Sequence, residues 1–217
     1  MTEKAVKMPL GMKNGQKIIR LLLKVLVRLD VKGLQYLPLS GPAMITPNHT
    51  SWLDVFLMFA YSPVPPVTFA AEYWARIPGV NLLFRHFGQA IFVNRGEVDR
   101  SALRTAVQVL KEGHILGLAP EGTRSHDGIL QKGHDGAAWL AGRTDSMIAP
   151  VGMWGHERMT DSWKRLRRPQ VHMHVGESYK LPPEAKKARA KDLPQYTETI
   201  MRKIADLLPV EQRGPYA

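Results

Sequence analysis

The sequence predicts a single α/β domain: a mixed, largely parallel sheet flanked by helices, with a basic amphipathic helix ahead of it. Three observations lead there. Short apolar, partly β-branched runs recur along the chain, and helical periodicity separates several of them, an alternation that marks α/β architecture. At 217 residues, 44% of them hydrophobic, the chain can bury one sizeable core, and no shift in composition divides it. Near the N-terminus, cations recur every three or four residues among aliphatic side chains.

The opening stretch, MTEKAVKMPLGMKNGQK, holds neither an apolar h-region nor a small-residue cleavage site, so no secretory signal is expected. From Gln16 to Leu29, Lys17, Arg20, Lys24 and Arg28 fall on one helical stripe, and Ile18, Leu21, Leu22, Val25 and their aliphatic neighbours fill a broad opposite face. Such a helix can dock on its own core with its charges solvated. It can also lie in a headgroup plane, each cation adding about 1 kcal/mol near an anionic surface, and the width of the apolar arc favours this second reading. Residues 1–30 are therefore assigned to a tail and a membrane-contacting helix, and residues 31–217 to the main domain.

Strands are expected at Ala43–Thr46, Val67–Ala70, Ala90–Val93, Ile115–Ala119, Met147–Val151 and Val171–Val175. Helices are expected over about 52–61, 73–87, 98–112, 134–143 and 193–208. Pro182-Pro183 and the charged stretch Lys186 to Asp192 make a connector before the last helix. The charge-free run Val55 to Ala71 is a poor membrane span, because Pro63, Pro65 and Pro66 interrupt it and it falls short of the roughly 20 apolar residues required.

Thirty Lys and Arg against 19 Asp and Glu give a net charge of +11. A polyanionic partner is expected: nucleic acid, an anionic membrane surface or a phosphorylated small molecule. No helix-turn-helix, zinc-finger or RNP-like aromatic signature favours nucleic acid. The chain has no cysteine, which excludes disulfides, thiolate metal sites and a thiol nucleophile. It also lacks the Gly-x-Ser-x-Gly elbow of serine hydrolases.

Two short motifs each follow an expected strand, where functional loops of α/β proteins gather. The first is Asn48-His49-Thr50-Ser51-Trp52-Leu53-Asp54. Residues five apart lie about 140° apart around a helix, so His49 can meet Asp54 only from the turn that precedes the helix. With Ser51 as N-cap, Asp54 falls at the third helical position, beside the incoming imidazole. A carboxylate on one ring nitrogen fixes the tautomer and leaves the other nitrogen as a general base. Ser51-x-x-Asp54 is equally close to a capping box, in which Asp54 only caps a helix. The second motif, Pro120-Glu121-Gly122-Thr123-Arg124-Ser125, can present backbone N–H groups and an Arg fork to a phosphate. An ordinary polar loop with a Glu–Arg surface pair fits the same residues.

In this order, His49-x4-Asp54 and Pro-Glu-Gly-Thr-Arg-Ser resemble the glycerolipid (lysophosphatidic acid type) acyltransferase family. Ile91-Phe92-Val93-Asn94-Arg95-Gly96 is similar to the family's apolar strand ending in a substrate-phosphate Arg, which points to Arg95. Lys132 to Ala138 resembles its Lys/Gly segment leading into a helix, and Ile148-Ala149-Pro150-Val151 its hydrophobic-proline strand. Arg168-Pro169 through Glu177 is similar to its closing strand and turn, with Ser178 where many members carry proline. The resemblance covers roughly residues 30–180; Asn94, where Asp is frequent, and the His134-Asp135 pair depart from the pattern.

The resemblance implies transfer of a fatty acyl group from an acyl thioester, acyl-CoA or acyl-carrier protein, to the free hydroxyl of 1-acyl-glycerol-3-phosphate, giving phosphatidic acid. Glycerol 3-phosphate or another lysophospholipid is the alternative acceptor. His49 would act as general base with Asp54 stabilising the imidazolium, and no covalent enzyme intermediate is needed. Arg95, Arg124 and Lys132 would hold the acceptor phosphate, while Glu121, Gly122 and Thr123 shape the loop, with Glu121 in reach of the acceptor hydroxyl. No metal and no other cofactor is implied. The expected partners are the lysophospholipid, the thioester donor and an anionic membrane surface, with the protein peripheral on the cytoplasmic face of a membrane. A reading of another class is a non-enzymatic basic protein that binds nucleic acid or membrane, its His–Asp pair merely structural.

Three further features admit two readings each. The aromatic and apolar run from Tyr73 to Phe87 fits either an acyl groove or core packing. Trp163 with Lys164, Arg165, Arg167 and Arg168 fits either a surface for headgroups or coenzyme A phosphates, or a solvated basic loop. His172 and His174 share one strand face, and a solvated face is expected there rather than a metal pair, since no carboxylate or cysteine is placed to complete a site.

Overall fold

The computed structural model describes residues 10–71, 90–93, 100–157 and 159–217. The expected helix over 73–87, the Tyr73 to Phe87 run and Arg95 lie outside these described residues. Strands β1 (Arg28–Lys32), β2 (Ala43–Pro47), β3 (Val67–Ala71), β4 (Ala90–Val93), β5 (Ile115–Gly117), β6 (Met147–Trp154) and β7 (Gln170–Val175) form one sheet in the order β1-β7-β6-β2-β5-β3-β4. All neighbours run parallel except β6 and β7, which are antiparallel, so the sheet is mixed and largely parallel.

Among the described residues six helices pack around it: α1 (Leu10–Leu26), α2 (Leu53–Tyr61), α3 (Arg100–Lys111), α4 (Gly136–Thr144), α5 (Met159–Lys164) and α6 (Leu193–Ala205). Strand β2 explains why the central runs are continuously apolar. Met44 packs into one core with Leu110, Leu140 and Ile200, while Ile45 packs into a second with Leu57, Val151 and Met173. Successive side chains point to opposite faces, and both faces are covered, so no position of β2 can be charged.

The N-terminal helix differs from expectation in its limits and in its docked face. It ends at Leu26 rather than Leu29, and it is held by Met12, Gln16, Leu23 and Val27, all buried. Gln16 Nε2 donates to the carbonyls of Phe59 (2.9 Å) and Ser62 (2.8 Å), and Arg20 Nε to that of Ala60 (2.6 Å). Two side chains of α1 thus satisfy carbonyls at the C-terminal end of α2, which that helix leaves without partners. Arg20, stacked over the Tyr61 ring at 5.1 Å, is therefore a docking residue and not part of a solvated stripe. Ile18, Leu21, Leu22, Val25 and Leu26 face outward, with Lys13, Lys17 and Lys24 exposed beside them.

Strand β1 is the element the sequence reading missed. Arg28 continues the three-four spacing of the helical cations, which masks the alternation Arg-Leu-Asp-Val-Lys, whose period of two belongs to a strand. The sheet accordingly begins at Arg28, ahead of the expected boundary at residue 31. This edge strand also corrects the reading of the two histidines. Asp30 lies opposite His172 in the register, and its Oδ2 is 3.1 Å from both His172 Nδ1 and His174 Nε2, so a carboxylate does stand beside the pair.

Among the described residues no helix is long and apolar enough to cross a membrane.

Candidate active site

The site forms where β2 ends. Beyond Pro47, the Asn48 side chain continues the ladder to β6: its Nδ2 donates to Met153 O at 2.8 Å and its Oδ1 accepts the Met153 N–H at 2.7 Å. An Asn amide has the same donor and acceptor as a peptide group, so it makes a further rung where the backbone turns away. His49 follows, held by its own peptide groups. Its N–H donates to Glu121 Oε1 at 2.7 Å, and its carbonyl accepts the Ser125 N–H at 2.8 Å. The two sequence motifs are therefore one hydrogen-bonded unit.

His49 Nδ1 lies 2.7 Å from Asp54 Oδ2, which also accepts the N–H groups of Thr50 (2.9 Å) and Ser51 (3.0 Å). The catalytic-pair geometry and the capping geometry are present together. Helix α2 starts at Leu53, a residue later than a Ser51 cap requires, and Ser51 Oγ accepts the Leu53 N–H at 3.2 Å. A fourth donor reaches Asp54 Oδ1: the buried His156 Nε2, which also lies 2.8 Å from Thr50 Oγ1.

Burial alone would raise the Asp54 carboxyl, but the hydrogen bonds from His156 and His49 outweigh it and hold it at about 2. An ionised carboxylate is acceptor-only, so Nδ1 of His49 carries the proton and Nε2 has the free lone pair. The His49 side chain is 25% exposed, and Nε2 takes no hydrogen bond among the described residues. For His156, burial lowers the imidazole, yet the hydrogen bond and charge of Asp54 prevail and raise it above its ordinary value.

His156 was not foreseen. Its signal is positional: it follows β6 in Trp154-Gly155-His156, at the carboxyl end of a central strand. Gly155 has φ +89°, and a Cβ there would meet the Gln170 carbonyl at 2.1 Å, so only glycine makes the turn that delivers the ring to Asp54.

Glu121 brackets the two motifs: it is buried, Oε1 accepts the His49 N–H, and Oε2 accepts the Gln131 N–H at 2.8 Å. Burial pushes its carboxyl up to about 7 against the opposing pull of those two N–H bonds. Gly122, at φ +67°, and Thr123 are exposed on the loop. Arg124 is half-buried and Lys132 exposed, and neither forms an ion pair among the described residues. They belong to one loop unit, because Gln131, next to Lys132, also donates through Nε2 to the Arg124 carbonyl at 3.4 Å. Trp163 and Arg168 have local work: Trp163 Nε1 donates to Leu26 O at 3.1 Å, and Arg168 to the carbonyls of Lys24 and Val27, finishing the end of α1. Lys164, Arg165, Leu166 and Arg167 remain exposed.

The sequence profile of the Acyltransferase family matches residues 28–154, from β1 to the end of β6, which includes both motifs. The chain belongs to the Acyltransferase family. Among its relatives in that family, a 1-acyl-sn-glycerol-3-phosphate acyltransferase of Borreliella burgdorferi is 30% identical over 130 residues, 59% of this chain and 52% of the relative. The 1-acyl-sn-glycerol-3-phosphate acyltransferase alpha of Homo sapiens is 30% identical over 154 residues, 66% of this chain and 53% of the relative. The chain thus spans about half the length of these curated relatives. In three dimensions it is similar to the crystal structure of the 1-acyl-sn-glycerophosphate acyltransferase PlsC from Thermotoga maritima. The TM-score is 0.70 at 24% identity, covering 90% of this chain and 78% of that one, a likeness of acyltransferase fold.

Proposed function

We propose that this chain transfers a fatty acyl group from an acyl thioester to the free hydroxyl of 1-acyl-glycerol-3-phosphate, producing phosphatidic acid for phospholipid biosynthesis. The observation that carries the reading is the His49–Asp54 pair, with Nδ1 fixed at 2.7 Å, Nε2 without a hydrogen bond among the described residues and the side chain 25% exposed. The names of the curated relatives supply the acceptor. In the reaction, Nε2 of His49 takes the proton of the acceptor hydroxyl as its oxygen attacks the thioester carbonyl. Asp54 stabilises the imidazolium, and the tetrahedral intermediate collapses as the C–S bond breaks and the thiolate leaves with the proton held by His49. No enzyme nucleophile is required. Arg124 and Lys132, without acidic partners among the described residues, hold the acceptor phosphate, joined by Arg95.

The outward aliphatic face of α1, with Lys13, Lys17 and Lys24 beside it, supports peripheral contact with an anionic membrane surface, which we place on the cytoplasmic face. Thiol release from palmitoyl-CoA in the presence of 1-acyl-glycerol-3-phosphate tests the assignment. His49→Ala should lower turnover on the order of 10²–10⁴-fold, the usual worth of a general base. Unchanged turnover in that variant removes His49 from the mechanism. Replacing the donor by acyl-carrier protein decides between the two thioesters.

A further inference from the structure

A second cluster of ionisable side chains lies at the far edge of the sheet, outside the hydrogen-bond network of His49. Strand β1 pairs in register with β7, Asp30 opposite His172 and Lys32 opposite His174. Val171, Met173 and Val175 fill the core, so the alternate residues His172 and His174 stand together on the other face, where Asp30 meets them. His172 Nδ1 and His174 Nε2 each lie 3.1 Å from Asp30 Oδ2, and the three atoms fall within 4.8 Å of one another. The rings are also held from behind. Trp154 stacks on His172 at 4.5 Å with 6° between the planes, and it meets His174 edge-on at 4.6 Å.

We propose that Asp30, His172 and His174 bind a divalent transition-metal ion of the zinc class, through two imidazole nitrogens and one carboxylate oxygen. Neutral imidazole with one carboxylate is a donor set that suits zinc, which takes three protein ligands and keeps a fourth position for water. Tetrahedral ligands at about 2.0–2.1 Å from the metal are separated by about 3.3 Å. Both nitrogen-to-oxygen distances of 3.1 Å are already close to that value, and the two nitrogens lie within 4.8 Å of each other. On binding, the metal takes the nitrogen lone pairs, and any proton on those nitrogens passes to solvent. Trp154 plays the orienting part that outer groups play at metal centres, because it fixes both ring planes.

One charge competes. Lys32 Nζ lies 3.3 Å from Asp30 Oδ2, but its side chain is 65% exposed and can swing into water. The ion ties edge strand β1, and α1 immediately ahead of it, to β7. This inference is independent of the acyl-transfer reading.

Calorimetric titration of the full chain with zinc chloride, in a buffer that does not chelate, tests it. Wild type should bind one ion. Asp30→Asn and His172→Ala should each bind at least about tenfold more weakly, since even outer-group changes at metal sites cost about 10–100-fold. His49→Ala should bind zinc as wild type does, and zinc should raise the melting temperature of wild type but not of Asp30→Asn. Lys32→Ala keeps every ligand and removes the competing charge, so it should bind several-fold more tightly, which tests the site even where a ligand variant folds poorly. Wild-type binding no stronger than that of His172→Ala, loss of binding in His49→Ala, or weaker binding in Lys32→Ala would each overturn the proposal.

Discussion

The main-chain N–H of His49 donates to Glu121 Oε1 at 2.7 Å across 72 residues of sequence. The other oxygen of the same carboxyl accepts the Gln131 N–H, so one buried side chain fixes the turn before α2 against the loop after β5. The position of His49 thus depends on a buried carboxyl 72 residues away.

That arrangement predicts a pH dependence of stability. The Glu121 carboxyl stands at about 7 in the fold against an ordinary 4.5, so between those pH values the folded protein keeps a proton that the unfolded chain has released. Stability should decline by about 1–3 kcal/mol as pH rises through that window. Glu121→Gln cannot ionise and should lack the decline, yet its single acceptor faces two N–H groups, so at pH 5 it should be less stable by about 1–2 kcal/mol. Urea midpoints at pH 5 and 7.5 check both points; equal pH slopes for the two proteins would count against the buried carboxyl.

Asp54→Asn removes the negative charge and one of the two oxygens that accept from His49, Thr50, Ser51 and His156. Turnover should fall on the order of 10³–10⁴-fold, because the imidazole loses its enforced tautomer. Stability should fall by about 1–3 kcal/mol as N–H donors go unpaired. The Asp54 carboxyl is depressed to about 2 from an ordinary 3.8, so in wild type its stabilisation is present above 3.8 and disappears as pH falls toward 2. Acid unfolding curves of the two proteins should converge at the low end of that range.

His156→Phe keeps the buried ring volume and removes a cationic partner of Asp54. With less positive charge beside the carboxylate, protonation of the base is favoured, and the acid limb of the kcat/KM profile should move about one pH unit toward the alkaline side. A profile that overlays wild type would reduce His156 to a space-filling role.

Arg124→Ala should raise the KM for the phosphorylated acceptor about 10-fold or more, the worth of one charge-assisted hydrogen bond, and leave the thioester KM nearly unchanged. With a monoacylglycerol, which lacks the phosphate, wild type and variant should be alike. The opposite pattern, a donor effect, would move Arg124 to the thioester side of the site.

Leu21 and Val25 on α1 are 64% and 63% exposed, so replacing both by Ser should leave the melting temperature within a degree or two while lowering binding to phosphatidylglycerol vesicles at least tenfold, from about 1.5–3 kcal/mol per buried aliphatic group. Co-sedimentation measures it. Equal binding would transfer the contact to the exposed Lys164 to Arg167 segment.

Much of this was readable from residue order. The runs at the centre of the sheet were legible because both faces of β2 and β6 are covered, which leaves no room there for charged residues, whereas β7 buries Val171, Met173 and Val175 and carries His172 and His174 on its other face. The His49–Asp54 pair was readable because both partners lie in one local turn. What the sequence hid was set by long-range contacts. Strand β1 is visible only once β7 pairs with it, since its charges continue the helical spacing. His156 meets Asp54 across 102 residues, and Asp30 meets His174 across 144, so no local pattern could announce either. The Pro120–Ser125 loop was legible, but not the two peptide N–H groups that Glu121 holds, because burial is not written in the motif.

Asn48 carries a last consequence. Its side chain extends the β2–β6 ladder to the residue before His49, so His49 is attached one peptide link from the central strands. Ordering a free backbone residue costs about 1–2 kcal/mol. Here that loss is incurred when the chain folds, so His49 is in place before any ligand arrives.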